Sequence, residues 1–209
     1  MFKDIDFKKA LQELSDKEKD KLILRLLRKD MVLTEKLYFE LVDTDSVEDK
    51  RRNMEREISK YIKRFSENYH SLDYIAVEMR SISGKISHHL KITKDKFGEI
   101  SLNLQMLNEV IEQNTFSLAH SKPQKSTKFY NYVIARAFKI LLLIDALHED
   151  FLLDFKDDLE KLGKNISNNK MLLKTAIYNS LDINWIVDAE IPDNIIQIHK
   201  EIKAAGFLK

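Results

Sequence analysis

The scarcity of helix-breaking residues constrains this chain most: 4 Gly and 2 Pro in 209 residues, where average usage supplies roughly 15 and 10. Gly and Pro mark turns and interrupt helices. A chain nearly free of both, yet 44% hydrophobic and 33% charged, is expected to form long helices joined by short polar loops. The expected class is all-α. The favoured architecture is an antiparallel bundle of three or four long helices, with short helices at the amino- and carboxy-terminal ends. The alternative is an irregular αα-superhelix; no repeat of roughly 20 to 50 residues supports a regular solenoid.

Start signals and apolar spacing divide the chain further. Residues 5 to 43 read as three short helices. Ser15-x-x-Glu18 is a capping box, followed by Leu22, Ile23, Leu26 and Leu27 on one stripe. Asp30 can cap a helix whose stripe is Leu33, Leu37, Tyr38 and Leu41. Ser46-x-x-Asp49 opens a longer helix with Met54, Ile58, Tyr61 and Phe65 inward. Ser71 opens the next, with Leu72, Ile75, Met79, Ile82 and Ile86 on its stripe. Asp95 to Gly98 reads as a turn, and Ile100, Leu104, Leu107, Ile111 and Leu118 as a third stripe. Residues 119 to 128 read as a loop. Val133, Ala137, Ile140, Ile144, Leu147 and Phe151 define a helix expected to continue to Leu162, with Gly163 as its terminal glycine. Residues 167 to 181 read as a further helix, 182 to 190 are ambiguous with an extended segment as one option, and Pro192 suits the first position of a last helix. Leu26, Leu37, Leu41, Ile58, Phe65, Ile75, Ile82, Leu104, Leu107, Ile111, Ile140, Ile144, Leu147 and Phe151 are the expected core. One domain over 1–209 is expected, with possible sub-divisions at 1–44, 45–163 and 164–209.

Composition excludes several classes of activity. The net charge is +1, so no global field drives the chain to nucleic acid or an anionic membrane. With no cysteine there is no disulfide or thiolate chemistry. The first residues, Met1 to Asp6, carry acids where a secretory signal carries a basic then apolar run. The aliphatic stretch Ile140 to Ile144 lies between Lys139 and Asp145, far short of a membrane span. A cytoplasmic protein without a membrane partner is expected.

Catalytic motifs are sparse. The glycines are isolated, so no phosphate-cradling loop is present. Glu67-x-x-His70 and Asp145-x-x-His148 have the spacing of helical metal ligands, but chance supplies about one such pair at this composition, and no partner carboxylates line the other inward faces. His89 falls in the apolar line after Ile86 and reads as a structural histidine near a helix end. No metal, cofactor or catalytic residue is assigned.

Charge distribution is more informative. Residues 113 to 144 contain no Asp or Glu, while holding Lys122, Lys125, Lys128, Arg136 and Lys139 with Tyr130 and Tyr132 among them. Arg52, Arg56, Lys60, Lys63 and Arg64 form a second basic face, opposite the Met54–Phe65 stripe. These ten cations are the candidate polyanion site, and nucleic acid is the candidate ligand. In contrast, Asp145, Glu149, Asp150, Asp154, Asp157, Asp158 and Glu160 crowd one stretch with Lys156 as the only Lys or Arg. Folding back onto the basic window would neutralise both.

The leading reading is a non-enzymatic protein-interaction or scaffold module, with a protein as partner. Nucleic-acid binding is second. A metal-dependent enzyme inside the bundle is third. An exposed apolar patch favours the first, fusion of the two basic segments into one face the second, and a pocket with three inward His, Asp or Glu the third.

Overall fold

The structure, a computed structural model, describes residues 4–121, 126–147 and 151–208. Among them are twelve helices and no strand: α1 (Ile5–Glu13), α2 (Asp16–Leu27), α3 (Met31–Leu41), α4 (Val47–Glu67), α5 (Leu72–Thr93), α6 (Lys96–Gln113), α7 (Thr115–His120), α8 (Thr127–Asp145), α9 (Leu152–Ser167), α10 (Lys170–Tyr178), α11 (Asn184–Val187) and α12 (Ile195–Ala204). The all-α class follows from the missing breakers as expected.

The start signals operate as read. The Glu18 carboxylate accepts the Ser15 N–H at 2.9 Å. Asp30 accepts from Leu33 N–H at 3.0 Å, Ser46 Oγ from Asp49 N–H at 3.1 Å, and Ser71 Oγ from Tyr74 N–H at 3.1 Å. Each satisfies an orphan donor of the first helical turn.

Helix α6 is the axis of the bundle, packing against α4, α5, α8 and α9. The chain alternates in direction through the long helices. Arg51 of α4 meets Asp95 before α6, Ser59 meets Glu109, and Ser66 meets Asn114, so α4 and α6 run parallel. Tyr132 lies beside Met79 and Ser83, and Lys139 beside Glu99, so α8 runs with α5 and against α6. Both α4 and α8 pack on α5 and α6 and not substantially on each other, which puts them on opposite sides of the α5–α6 pair. The core stripes of α4, α5, α6 and α8 are buried apart from half-buried Met54 and Tyr61 of α4, with Ile62, Ile75, Leu104, Leu107 and Ile140 fully inaccessible.

Several boundaries differ from the sequence reading. Helix α8 stops at Asp145 and α9 begins at Leu152, so the unbroken helix is two. Phe151 ends up as the residue preceding α9, 43% exposed, with its ring edge-on to Phe97. Leu147 is half-buried. Asn114 breaks the third stripe: its side chain donates to Val110 C=O and Ser66 Oγ, and Leu118 belongs to the separate α7. Asp95 to Gly98 is not an open turn, because Lys94 takes the left-handed conformation that closes α5 and Asp95 already caps α6. Residues 184–187 are helical rather than extended. Pro192 precedes the last helix, its carbonyl accepting from Ile195 N–H, rather than starting it.

Gly163 does not end a helix either. It lies inside α9, and a Cβ there would come within 2.6 Å of Val187 Cγ2 and 3.0 Å of the Val187 backbone. The missing side chain lets α11 lie directly on α9. The largest correction concerns α1 to α3, none of which contributes a buried residue. Leu26 is 51% and Leu41 78% exposed, and Leu37 is only half-buried. Their stripes are regular, and α3 lies against α5, yet among the described residues Leu26 and Leu41 stay exposed rather than covered by another helix.

These glycines give a paired test. Gly84 lies in the middle of α5, exposed, with no atom within 4 Å of the place a Cβ would occupy. Gly84→Ala is expected to raise the unfolding free energy by about 0.5–1 kcal/mol through backbone entropy. Gly163→Ala, one methyl as well, is expected to lower it by about 1–3 kcal/mol through overpacking against Val187. Urea unfolding of the two variants checks the opposite signs.

Candidate functional site

Among the described residues the two basic segments lie on different helices, α4 and α8, that do not pack substantially on each other. Arg52, Arg56, Lys60, Lys63 and Arg64 all lie exposed on α4, turned away from the bundle. Several are engaged locally: Arg52 with Asp49 at 2.8 Å, Arg56 with Asn53, Lys63 with Glu67 at 3.9 Å, and Arg64 over the Tyr61 ring. Helix α8 carries its cations on the far side of the α5–α6 pair. Lys122 and Lys125 lie outside the described residues. Lys128 is exposed at the start of α8. The acidic stretch does not neutralise α8 among the described residues. Instead Lys139 reaches across to Glu99 of α6, at 2.9 Å, while on α9 Glu160 pairs with Lys164 and Lys161 pairs with Glu112 of α6.

Arg136 and Lys139 meet residues that the sequence reading did not bring to them. Together with Ser87 of α5, Tyr132 of α8, and His199 and Lys203 of α12, they line a cleft of about 410 Å³ whose other walls are Ala135, Leu142 and Leu208. Spacing explains the assembly. Tyr132, Arg136 and Lys139 follow at 4-3 on one face of α8, and His199 and Lys203 at i,i+4 on one face of α12. Buried Ile195 and Ile202 seat α12, and the His199 ring lies 5.0 Å from that of Phe138.

Tyr132 is the fixed point of the cleft. Its hydroxyl lies 2.5 Å from Ser83 Oγ and donates to Met79 C=O at 3.2 Å. Arg136 donates to the same hydroxyl at 3.1 Å and lies 5.3 Å from the ring centre, and Arg80 of α5 approaches the ring at 5.4 Å. No carboxylate forms an ion pair with Arg136, Arg80 or Lys203 among the described residues. Burial, then the nearby Lys203 charge, pushes the His199 imidazole below its ordinary pKa.

A second polar cluster joins α4, α5 and α6. Arg51 chelates Asp95 through Nε at 2.7 Å and Nη2 at 2.8 Å, and its guanidinium lies over the Phe97 ring. His89 Nε2 is 3.3 Å from the same carboxylate, and Gly98 N–H donates to it at 2.8 Å. Burial alone would raise the Asp95 pKa. The hydrogen bonds from His89, Arg51 and Gly98 outweigh it and hold the carboxyl well below the usual range. His89 is buried as read, and its partner is a carboxylate. The signal for Arg51 was legible: it stands three residues before Met54, on the apolar stripe rather than the basic face. His199, Lys203 and Arg80 had no comparable signal, since only the tertiary packing of α12 and α5 on α8 brings them together.

Among the described residues no group of three or more His, Asp or Glu could hold a metal ion. His70 is exposed, edge-on to Tyr74, and His148 lies outside the described residues. No helix of those described is long and apolar enough to cross a membrane. No family model, curated protein or solved structure matches this chain.

The Asp95 cluster predicts a pH dependence. A carboxyl with a depressed folded pKa stabilises the fold above its unfolded value, about 4, and that contribution is lost as pH falls towards the folded value. Asp95→Asn is expected to lower stability by about 3–5 kcal/mol at pH 7, because it leaves the half-buried Arg51 guanidinium without its carboxylate. It is also expected to flatten the stability profile below pH 4. Urea unfolding of both proteins from pH 7 downwards reads both effects.

Proposed function

We propose that the chain is a non-enzymatic protein-interaction module, and that α1 to α3 dock against a second copy of the same chain. The observation that carries this reading is the exposed apolar surface that the amino-terminal arm keeps after α3 has packed on α5. Ile5, Phe7, Leu11, Ile23, Leu24, Leu26, Met31, Leu33, Tyr38, Leu41 and Val42 are all exposed. They account for more than half of the exposed large apolar side chains among the described residues, in about a fifth of the chain. Amphipathic stripes with 3-4 spacing imply a helical partner, and helices of 9 and 12 residues are marginal in water unless tertiary packing supports them.

Size and charge favour a second copy as the occupant. Eleven large apolar side chains at about half exposure offer on the order of 800 Å², close to one partner's share of a standard interface. Residues 4–43 hold nine Lys or Arg and ten Asp or Glu, and Asp16 to Lys21 alternate in sign. An isologous interface sets a patch against itself, and a patch of net charge near zero does not repel its copy. Glu35 on α3, 2.6 Å from His88 Nε2 on α5, and Lys50, bound to Asp43 and Asp45, tie the arm to the bundle.

Light scattering on the full chain is expected to give a mass twice 24.6 kDa. Leu26→Glu and Leu41→Glu, at positions already exposed in the single chain, are expected to give one-chain mass with unchanged far-UV dichroism. A wild-type chain that stays single at every concentration, or a dimer that survives both substitutions, overturns the reading.

A further inference from the structure

We infer that the cleft between α5, α8 and α12 binds the phosphoryl group of a small phosphorylated molecule.

The first support is an unanswered charge. Arg136 is half-buried, and charged side chains taken out of water are normally paired. Its one hydrogen bond among the described residues goes to a neutral acceptor, the Tyr132 hydroxyl. A guanidinium has five N–H donors in a fixed plane, so most of this one remains open. Contact with the Tyr132 ring, itself fixed through Ser83 and Met79, holds that plane in place. The fork is thus pre-set in the geometry suited to paired anionic oxygens.

Charge count selects the ligand class. Lys139 is answered by Glu99, which leaves Arg136 and Lys203 as two cations without a carboxylate among the described residues. Two positive charges match a phosphomonoester, which carries about −1.5 to −2 at neutral pH, better than a single carboxylate. Ser87 supplies a hydroxyl and His199 an uncharged ring nitrogen at the same wall. Ala135, Leu142 and Leu208 supply an apolar side for the rest of the molecule. The volume, about 410 Å³, falls within the range of small-molecule sites, roughly 300–1,000 Å³.

A nucleic-acid strand fits less well. Its phosphates follow one another and need a continuous basic track. The α4 cations that would extend one lie across the α5–α6 pair.

The test is a titration of the full chain with inorganic phosphate, ionic strength held constant with sodium chloride. The His199 imidazole proton resonance and calorimetry serve as readouts. Phosphate is expected to shift the resonance saturably, while acetate is not. Lys203→Gln, an exposed position whose change does not threaten the fold, is expected to weaken phosphate at least tenfold, as is Arg136→Gln. Lys60→Gln on α4 is expected to change nothing. A shift that never saturates, equal effects of phosphate and acetate, or unchanged affinity in Lys203→Gln overturns the inference. A single-stranded oligonucleotide that binds in a manner abolished by α4 substitutions, with no phosphate saturation at His199, also overturns it in favour of a polyanion surface.

Discussion

Everything in this bundle hangs from one buried carboxylate. Asp95 caps α6, receives both arms of the Arg51 guanidinium from α4, and lies against His89 near the end of α5. Three helices are thereby fixed at one end in both separation and register. The arrangement requires Gly98. A Cβ at that position would lie 2.0 Å from Asp95 Oδ2 and 3.1 Å from Arg51 Nε, so any side chain would expel the carboxylate from its seat. A charge-assisted, bidentate pair is directional where apolar packing is not. Hydrophobic burial supplies the driving force here, as in any bundle, while Asp95 selects which helical register is used.

From that end, α6 runs through the centre with neighbours on every side, and this explains its polar residues. Glu99, Asn103, Asn108 and Asn114 are all buried on it. Four of their bonds cross to other helices: Glu99 accepts from Lys139, Asn108 donates to the Asp158 carbonyl of α9 and accepts from Asn165 of the same helix, and Asn114 donates to Ser66 of α4. A central helix that is apolar all round could rotate or slide among its partners at little cost. These bonds penalise each slip, since a broken one leaves a buried polar group unsatisfied. The same central position separates α4 from α8 and divides the basic residues between two unrelated surfaces.

Much of this was legible in the residues. Ser15, Asp30, Ser46 and Ser71 mark helix starts because capping is local chemistry, decided within four residues. The α4 to α8 stripes are legible for a similar reason, since period alone places Ile58, Ile75, Leu107 and Ile140 inside. What period cannot say is whether a partner exists for a stripe. Leu26 and Leu41 obey the same spacing as Ile58 and lie exposed, because a stripe reports the need for a cover and not its source. Gly163 misled for a related reason: a glycine near the end of a pattern reads as a stop, whereas here close approach of Val187 requires it. The cleft was half visible, through the acid-free window that contains Arg136 and Lys139. Its other half comes from α12, some sixty residues later, and no local rule connects the two.

The apolar arm and the basic cleft share helix α5. His88 faces Glu35 on the arm and the adjacent Ser87 lines the cleft, so one residue step, about 100° around a helix, divides the two surfaces. Adjacency does not by itself couple them. Coupling needs an element with two arrangements of comparable energy, biased by both sites. Between Ser87 and the rest of the core, α5 is held by Met79, Ile82 and Ile86, each almost wholly inaccessible, and its end is held by His89 on Asp95. A helix anchored along one face and pinned at its terminus has no second position nearby. The proposed interface and the proposed cleft are therefore expected to act independently, occupation of one leaving the affinity of the other unchanged.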